Sequence, residues 1–239
     1  MSASVKAVPE ASIGSRKALD LFSLKDRRIA ILGGQGLLGQ ICVETVLELN
    51  GIPLSIDIKS GADYECDILE EKALHWIANR YQFHGVVNCV VGNQRATDLP
   101  LANLSEDLRA GFDAAAQAHE AFYSPLLHSR GCFLNLGSDL SVKAPDPKRY
   151  APLYKPASYS AVKHAIIGLT RYYALLWAPD IRVNCLCPGS IDQGQAVPAC
   201  ALARLAQPHE MKGALAWLLS DASSYVTGAV INVDGGSTI

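Results

Sequence analysis

Short apolar runs alternate with longer stretches of helical periodicity from Arg28 to the end of the chain. The run Arg28–Leu32 (RIAIL) stops at Gly33, and Leu37–Leu49 then repeats its apolar positions every three to four residues. Pro53–Ile58 (PLSIDI) and Ala62–Cys66 read as strands, Glu70–Tyr81 as a helix and Gly85–Val91 (GVVNCVV) as a buried strand. An Ala-rich helical stretch, Leu104–His128, leads to the strand-like run Cys132–Leu136 (CFLNL). Ser158–Trp177 reads as a long helix, Ile181–Leu186 as a strand, Glu210–Leu219 as a helix and Ala229–Val233 as a last strand. Strands that are apolar at consecutive positions have both faces covered, and strands separated by helices pair in parallel. The pattern predicts an α/β fold: a doubly wound parallel sheet of about seven strands with helices on both faces.

Two segments break this rhythm. Ser138–Pro156 holds four prolines and several charges, and a second irregular segment runs from Pro188 to about Pro208. Ligands bind such sheets at the carboxyl ends of the strands, so both segments are expected to wall a substrate site, with Tyr150 and Tyr154 as candidates to face it. Residues 1–16 have no apolar core and are expected to form a frayed extension, which leaves residues 17–239 as one domain.

Composition narrows the class. With 21 basic and 23 acidic residues the formal charge is −2, which argues against a nucleic-acid binder. No apolar stretch is long enough to span a membrane. The seven cysteines are an odd number scattered through apolar runs, as expected of free thiols in a reducing, cytoplasmic compartment. Cys185 and Cys187 form a C-x-C pair without a second pair at zinc spacing, and no metal is expected. The six histidines form no i, i+4 pair and read as surface or packing residues.

Three features carry chemistry. Gly33-Gly34-Gln35-Gly36-Leu37-Leu38-Gly39 follows the first strand and opens the first helix. Glycine allows a tight turn and close approach of a pyrophosphate, and the helix N-terminus behind it offers free N–H groups and a positive dipole end. Asp57, 18 residues beyond Gly39, ends the second strand, where a carboxylate accepts hydrogen bonds from an adenosine ribose and repels a 2′-phosphate. Lys59 does not cancel that repulsion, so NAD is expected in preference to NADP. Tyr159 and Lys163 lie four residues apart on one helix face, where an ammonium favours the phenolate and lowers the tyrosine pKa. Ser138 stands at the carboxyl end of the preceding strand, placed to hold a substrate oxygen.

In these residues the chain resembles the compact, single-domain branch of the short-chain dehydrogenase/reductase family, whose fold is of the Rossmann type. The resemblance extends from Leu21 to the carboxyl terminus. CDI at Cys66–Ile68 resembles the family's adenine-contacting Asp-Val pair, which implicates Asp67 and Ile68. VNCVV at Val87–Val91 resembles the N-N-A-G segment and keeps Asn88. FLNLGS at Phe133–Ser138 resembles the strand that ends in the active-site serine. IRVNCLCPGSI resembles the stretch that walls the nicotinamide, which implicates Pro188 and Ile191, and SDASSYVTGAVINVDGG resembles the carboxyl-terminal signature. The resemblance implies an NAD(P)-dependent oxidoreductase acting on an alcohol/ketone pair. Ser138 would orient the substrate oxygen, Tyr159 would exchange its proton, and Lys163 would lower the Tyr159 pKa and bind the nicotinamide ribose. Gly33, Gln35, Gly36, Leu37, Leu38, Asp57, Asp67, Ile68, Asn88, Tyr159, Lys163, Pro188 and Ile191 would contact the cofactor. A homodimer or homotetramer built on the two long helices is implied as well.

The departures are specific. The family's relay Asn is missing from the helix DLRAGFDAAAQAHEAF, where Asp113 and Gln117 are the candidate substitutes, and Gln193 stands where a Thr is usual. These losses motivate an alternative, a catalytically weak NAD-binding scaffold. A sugar-nucleotide epimerase or dehydratase also carries G-x-x-G-x-x-G, but only 51 residues follow Pro188, too few for the substrate domain it needs.

Overall fold

The computed structural model describes residues 16–92, 104–146, 155–193 and 200–239. Residues 1–15, Tyr150 and Tyr154 lie outside the described residues. Seven strands form one parallel sheet: β1 (Arg28–Leu32), β2 (Ile52–Asp57), β3 (Tyr64–Glu65), β4 (Gly85–Asn88), β5 (Cys132–Leu136), β6 (Arg182–Pro188) and β7 (Val230–Val233), in the order β3-β2-β1-β4-β5-β6-β7. Six α-helices accompany it among the described residues: α1 (Leu37–Glu48), α2 (Glu71–Arg80), α3 (Leu104–Leu108), α4 (Ala114–Ser129), α5 (Ala157–Leu176) and α6 (Lys212–Leu219).

The alternation of side chains along β1 assigns the two faces. Ile29 and Ile31 pack with Val46 of α1 and with Leu215 and Leu218 of α6. Ala30 and Leu32 point the other way, into a core shared with Leu74 and Ile77 of α2 and Phe122 and Leu126 of α4. Helix α5 covers the far half of that face, where Val162 and Ile166 meet Ala115 of α4 and Cys185 and Cys187 of β6. In register, Leu32 lies opposite both Ile56 and Asn88, and Asn88 opposite Asn135, so the carboxyl ends of β1, β2, β4 and β5 finish along one edge. The chain leaves β1 toward β2 on one side and continues through β4 to β7 on the other. A crevice therefore opens beyond β1 and β4, the place where such sheets receive ligands.

Some boundaries differ from expectation, each for a local reason. β4 stops at Asn88 rather than Val91, because the Cys89 backbone folds over Gly33. Gly33 has φ +77°, and a Cβ there would come within 3.2 Å of the Cys89 carbonyl carbon and the Val90 nitrogen. β6 runs two residues past Leu186, since Cys187 and Pro188 pair with Asn232 and Val233. The expected continuous helix Leu104–His128 contains a π turn at Arg109–Asp113 between α3 and α4. Arg182 and Asn184, from the IRVN stretch, act as structural pins. The Arg182 guanidinium donates to Ser223 Oγ and to the Leu218, Ser220 and Val226 carbonyls, and Asn184 bonds the Val226 carbonyl and the Ala229 amide.

Candidate active site

The residues expected to meet a cofactor lie at or just beyond the carboxyl ends of β1, β2 and β4 and on the segments that follow them. Helix α1 begins at Gly36, which provides no side-chain cap, so its first-turn amides face the crevice uncovered by a capping group. Asp57 is buried at the end of β2, where its Oδ2 accepts from the Gln35 amide at 2.9 Å and its Oδ1 from the Lys59 amide at 3.0 Å. A carboxylate held by one backbone amide on each oxygen keeps further lone pairs for a ligand. The Gln35 side chain donates to the Gly61 carbonyl at 3.0 Å and closes the turn from outside. Leu37 is partly exposed and Leu38 half-buried on the first turn of α1. Asp67 is exposed and accepts from the Leu69 amide at 2.9 Å, whereas the Ile68 side chain belongs to the core. Asn88 is buried at the end of β4 and caps the following turn, its Oδ1 accepting from the Val90 amide. These residues fit a dinucleotide: an uncapped helix N-terminus for the pyrophosphate and a fixed carboxylate 22 residues beyond Gln35 for the ribose.

The candidate chemistry sits one strand further on. Ser138 follows β5 and begins a 3-10 turn, Asp139–Ser141; its Oγ accepts from the Leu140 amide at 3.1 Å, while its own amide donates to Ser141 Oγ at 3.0 Å. Two bonds dock the start of α5 against this turn. Lys163 Nζ donates to the Leu136 carbonyl at 2.6 Å, and Ser160 Oγ donates to the Leu140 carbonyl at 3.4 Å. Lys163 Nζ thereby lies 5.9 Å from the centroid of the Tyr159 ring. Burial pushes the Lys163 ammonium below the ordinary lysine range, opposed by the neighbouring Cys185, Cys89 and Cys187 thiols. Pro188 ends β6, and Ile191, just beyond it, bridges to Ala206.

The candidate substitutes for the missing Asn diverge. Asp113 is exposed at the end of the π turn, and Gln117 is half-buried on α4 with its Oε1 one of two buried side-chain oxygens among the described residues that have no partner. Asp107 instead reaches α5, accepting from Ser158 Oγ at 2.5 Å.

Two further features lie beside these residues, of which only the C-x-C pair was visible along the chain. Lys155 Nζ stands 4.5 Å above the Tyr159 ring, supplying a second cation to that phenol. Cys185 and Cys187 project from the same face of β6 with their sulfurs 3.7 Å apart, behind Gly137. The hydrogen bond from Cys185 lowers the Cys187 thiol, against burial, while Cys185 rises in turn. Among the described residues no three His, Cys, Asp or Glu side chains gather as a metal site.

Comparison with known proteins bears on the family and the fold. A family model described as enoyl-(acyl carrier protein) reductase matches residues 52–238. The 3-oxoacyl-[acyl-carrier-protein] reductase FabG of Chlamydia trachomatis is 25% identical over 238 residues, covering 90% of this chain and 89% of that protein. A 2,5-dichloro-2,5-cyclohexadiene-1,4-diol dehydrogenase of Sphingobium indicum is 27% identical over 258 residues, covering 91% and 99% respectively. Among solved structures, a short chain dehydrogenase from Leptospira borgpetersenii with bound NAD+ has a TM-score of 0.83 at 24% identity, covering 98% of this chain and 100% of that one. A putative NAD(P)-dependent gluconate 5-dehydrogenase from Beutenbergia cavernae with bound NADP has a TM-score of 0.78 at 24% identity, covering 90% and 98%.

Proposed function

The chain belongs to the short-chain dehydrogenase/reductase family and is an oxidoreductase of that family, and from this premise we propose that it interconverts an alcohol and a ketone with a nicotinamide cofactor. The observation that carries the reading is the docking of α5 on the end of β5, with Lys163 Nζ on the Leu136 carbonyl and 5.9 Å from the Tyr159 ring. Bound nicotinamide supplies or accepts the hydride. Everything else falls to the chain. Tyr159 exchanges a proton with the substrate oxygen, the Lys163 ammonium stabilises its phenolate and meets the nicotinamide ribose, and Ser138 orients that oxygen. The crevice residues Gly33, Gln35, Gly36, Leu37, Leu38, Asp57, Asp67, Ile68, Asn88, Pro188 and Ile191 hold the cofactor. The Asp57 carboxylate supports NAD over NADP, because it competes for the ribose hydroxyls and repels a 2′-phosphate. Residues 17–239 act as one domain, and a cytoplasmic setting suits the seven free thiols.

The test is a panel of secondary alcohols and ketones, followed through the absorbance of the reduced nicotinamide with NAD and NADP in parallel. Turnover is expected with NAD, and Tyr159→Phe is expected to cut it at least ~100-fold while the nucleotide still binds. Undiminished turnover in Tyr159→Phe refutes the mechanism. The exposed Asp113 and the absent Asn favour a second reading, an NAD-binding protein without catalysis; nucleotide binding without turnover on any member of the panel would support that one.

A further inference from the structure

Three lysines stand around Ser138 and Tyr159, and they are placed differently. Lys163 is 4% exposed and turned inward, with its Nζ on the Leu136 carbonyl. Lys143 is taken up by Asp139, pairing with its Oδ2 at 3.0 Å, and it donates to the Ser237 carbonyl at 2.7 Å. The same Asp139 oxygen accepts from Ser237 Oγ at 2.9 Å, which closes this group on itself across 98 residues of chain. The third, Lys155, has no role in the mechanism above. It is half-buried, lies just ahead of α5, and holds its Nζ 4.5 Å above the Tyr159 ring, nearer than the 5.9 Å of Lys163. The sequence explains this place. A residue before proline is kept out of the helical region, so Lys155 stays outside α5 while the buried Pro156 forms its N-cap with extended backbone at ψ 152°. The Tyr159 amide donates to the Pro156 carbonyl at 3.1 Å, which ties the tyrosine to the residue beside Lys155.

An ammonium held over this phenol acts on whatever the substrate carries next to its carbinol carbon. An apolar neighbour would desolvate that charge without return, whereas an anionic one forms a charge-assisted hydrogen bond with it. We propose that Lys155 is a specificity-determining residue that receives a substrate carboxylate, so that the alcohol/ketone pair is an α- or β-hydroxy acid and its oxo acid. This rests on the reading that Tyr159 meets the substrate oxygen. A single ammonium suits the single charge of a carboxylate; a phosphate, with nearly two charges and three acceptor oxygens, calls for a cluster of donors. The carboxylate takes no part in the bond changes. The hydroxyl proton passes to Tyr159, the hydride leaves the carbinol carbon for the oxidised nicotinamide, and the oxo acid remains. Because the carboxylate keeps its charge throughout, Lys155 holds substrate and transition state alike, and its contribution falls mainly on KM.

The experiment uses the full chain with Lys155→Ala, Lys155→Arg and Lys155→Glu. Short α- and β-hydroxyalkanoates are each paired with their methyl esters, which keep the carbinol and remove the charge. The readout is the acid-to-ester ratio of kcat/KM with NAD. Any effect of Lys155 on the phenol itself is shared by acid and ester and cancels in that ratio. The native chain is expected to favour the acid, and Lys155→Ala to lower the ratio about thirtyfold, chiefly through KM. Lys155→Arg keeps the charge and is expected to return the ratio to within about fivefold of the native value, while Lys155→Glu should favour the ester. Calorimetry of the oxoalkanoate with the NAD-loaded chain gives a second readout that needs no turnover, and Lys155→Ala is expected to weaken that binding by a similar factor. A native chain that prefers the ester or fails to bind the acid overturns the inference, and so does an unchanged ratio in Lys155→Ala. Acid binding that depends on Lys155 without turnover of any pair overturns the catalytic reading instead and leaves the carboxylate site standing, so the two failures are told apart.

Discussion

His119 shows how much of a residue's chemistry is decided by its neighbours. Its ring lies stacked between Phe133 of β5, with centroids 3.9 Å apart, and Tyr173 of α5, at 4.2 Å. Nδ1 donates to the Ala115 carbonyl at 2.7 Å and Nε2 accepts from Asn135 Nδ2 at 3.3 Å, which fixes a neutral tautomer. Burial holds its pKa down at about 4, against the usual 6.5, with the Ala115 bond pulling weakly the other way. Because the folded value is depressed, the unfolded chain binds the proton first. Stability is full above pH 6.5 and is lost as pH falls through the window from 6.5 to about 4. At 1.36 kcal/mol per unit the loss approaches about 3 kcal/mol at the acid end. Urea denaturation at neutral pH and near pH 4.5 should show it in the native chain, while His119→Phe, which keeps the stacking, should flatten that slope; an equal acid loss in both would refute the assignment. Nothing in the Ala-rich run around His119 reveals this, since both of its aromatic partners come from later segments. Tyr159 and Lys163 were legible because four residues on one helix fix their relation. Asp139 and Ser237 were not, because no local pattern links positions so far apart.

At the scale of elements, the strands and their parallel pairing were legible in the apolar runs and the helices between them, whereas the strand order and the junctions between helices were not. The π turn at Arg109–Asp113 carries Gly111 against α5, where an added Cβ would stand 2.6 Å from Val162 Cγ1 and 3.1 Å from Cγ2. Val162 is β-branched and on a helix, so its rotamer has little room to give way. The Asp107–Ser158 hydrogen bond lies one turn earlier in each helix and ties the same pair. Gly111→Ala should therefore force the π-turn segment and α5 apart and destabilise the chain by roughly 1–3 kcal/mol, the usual range for overpacking. Val162→Ala opens the space, and the double variant should recover most of the difference. Additive effects in a double-mutant cycle would show that the two positions do not meet. Because α5 carries Tyr159 and Lys163, the same displacement should lower activity before the fold is lost. Residue periodicity cannot foretell such a junction: a π turn adds one residue to a helix whose apolar pattern looks continuous, and it is placed by what the neighbouring helix presents.

For the whole molecule, the open question posed by its surface is what covers the outer faces of α4 and α5. Tyr172, Leu175 and Leu176 fall on one stripe of α5 and are 61%, 84% and 59% exposed. Tyr123 and Leu127 form a second exposed pair on α4, and Tyr123 reaches the buried Trp177 at the end of α5 with ring centroids 5.4 Å apart. Exposed apolar and aromatic groups gathered on two helices suit a self-complementary, two-fold contact between copies of one chain. The long helices were singled out from the family resemblance for this role, yet their sequence alone could not say which residues face the sheet and which face outward. The geometry separates them, with Val162 and Ile166 inward and Leu176 outward. The expected outcome is a dimer or larger assembly at micromolar concentration by light scattering. Leu176→Glu should shift the population toward monomer, since it buries two charges across the two-fold axis. Raising the salt concentration should not dissociate the native assembly, because the contact is apolar rather than ionic. A native chain that is monomeric at that concentration, or a Leu176→Glu variant that assembles as before, would rule this face out as the contact.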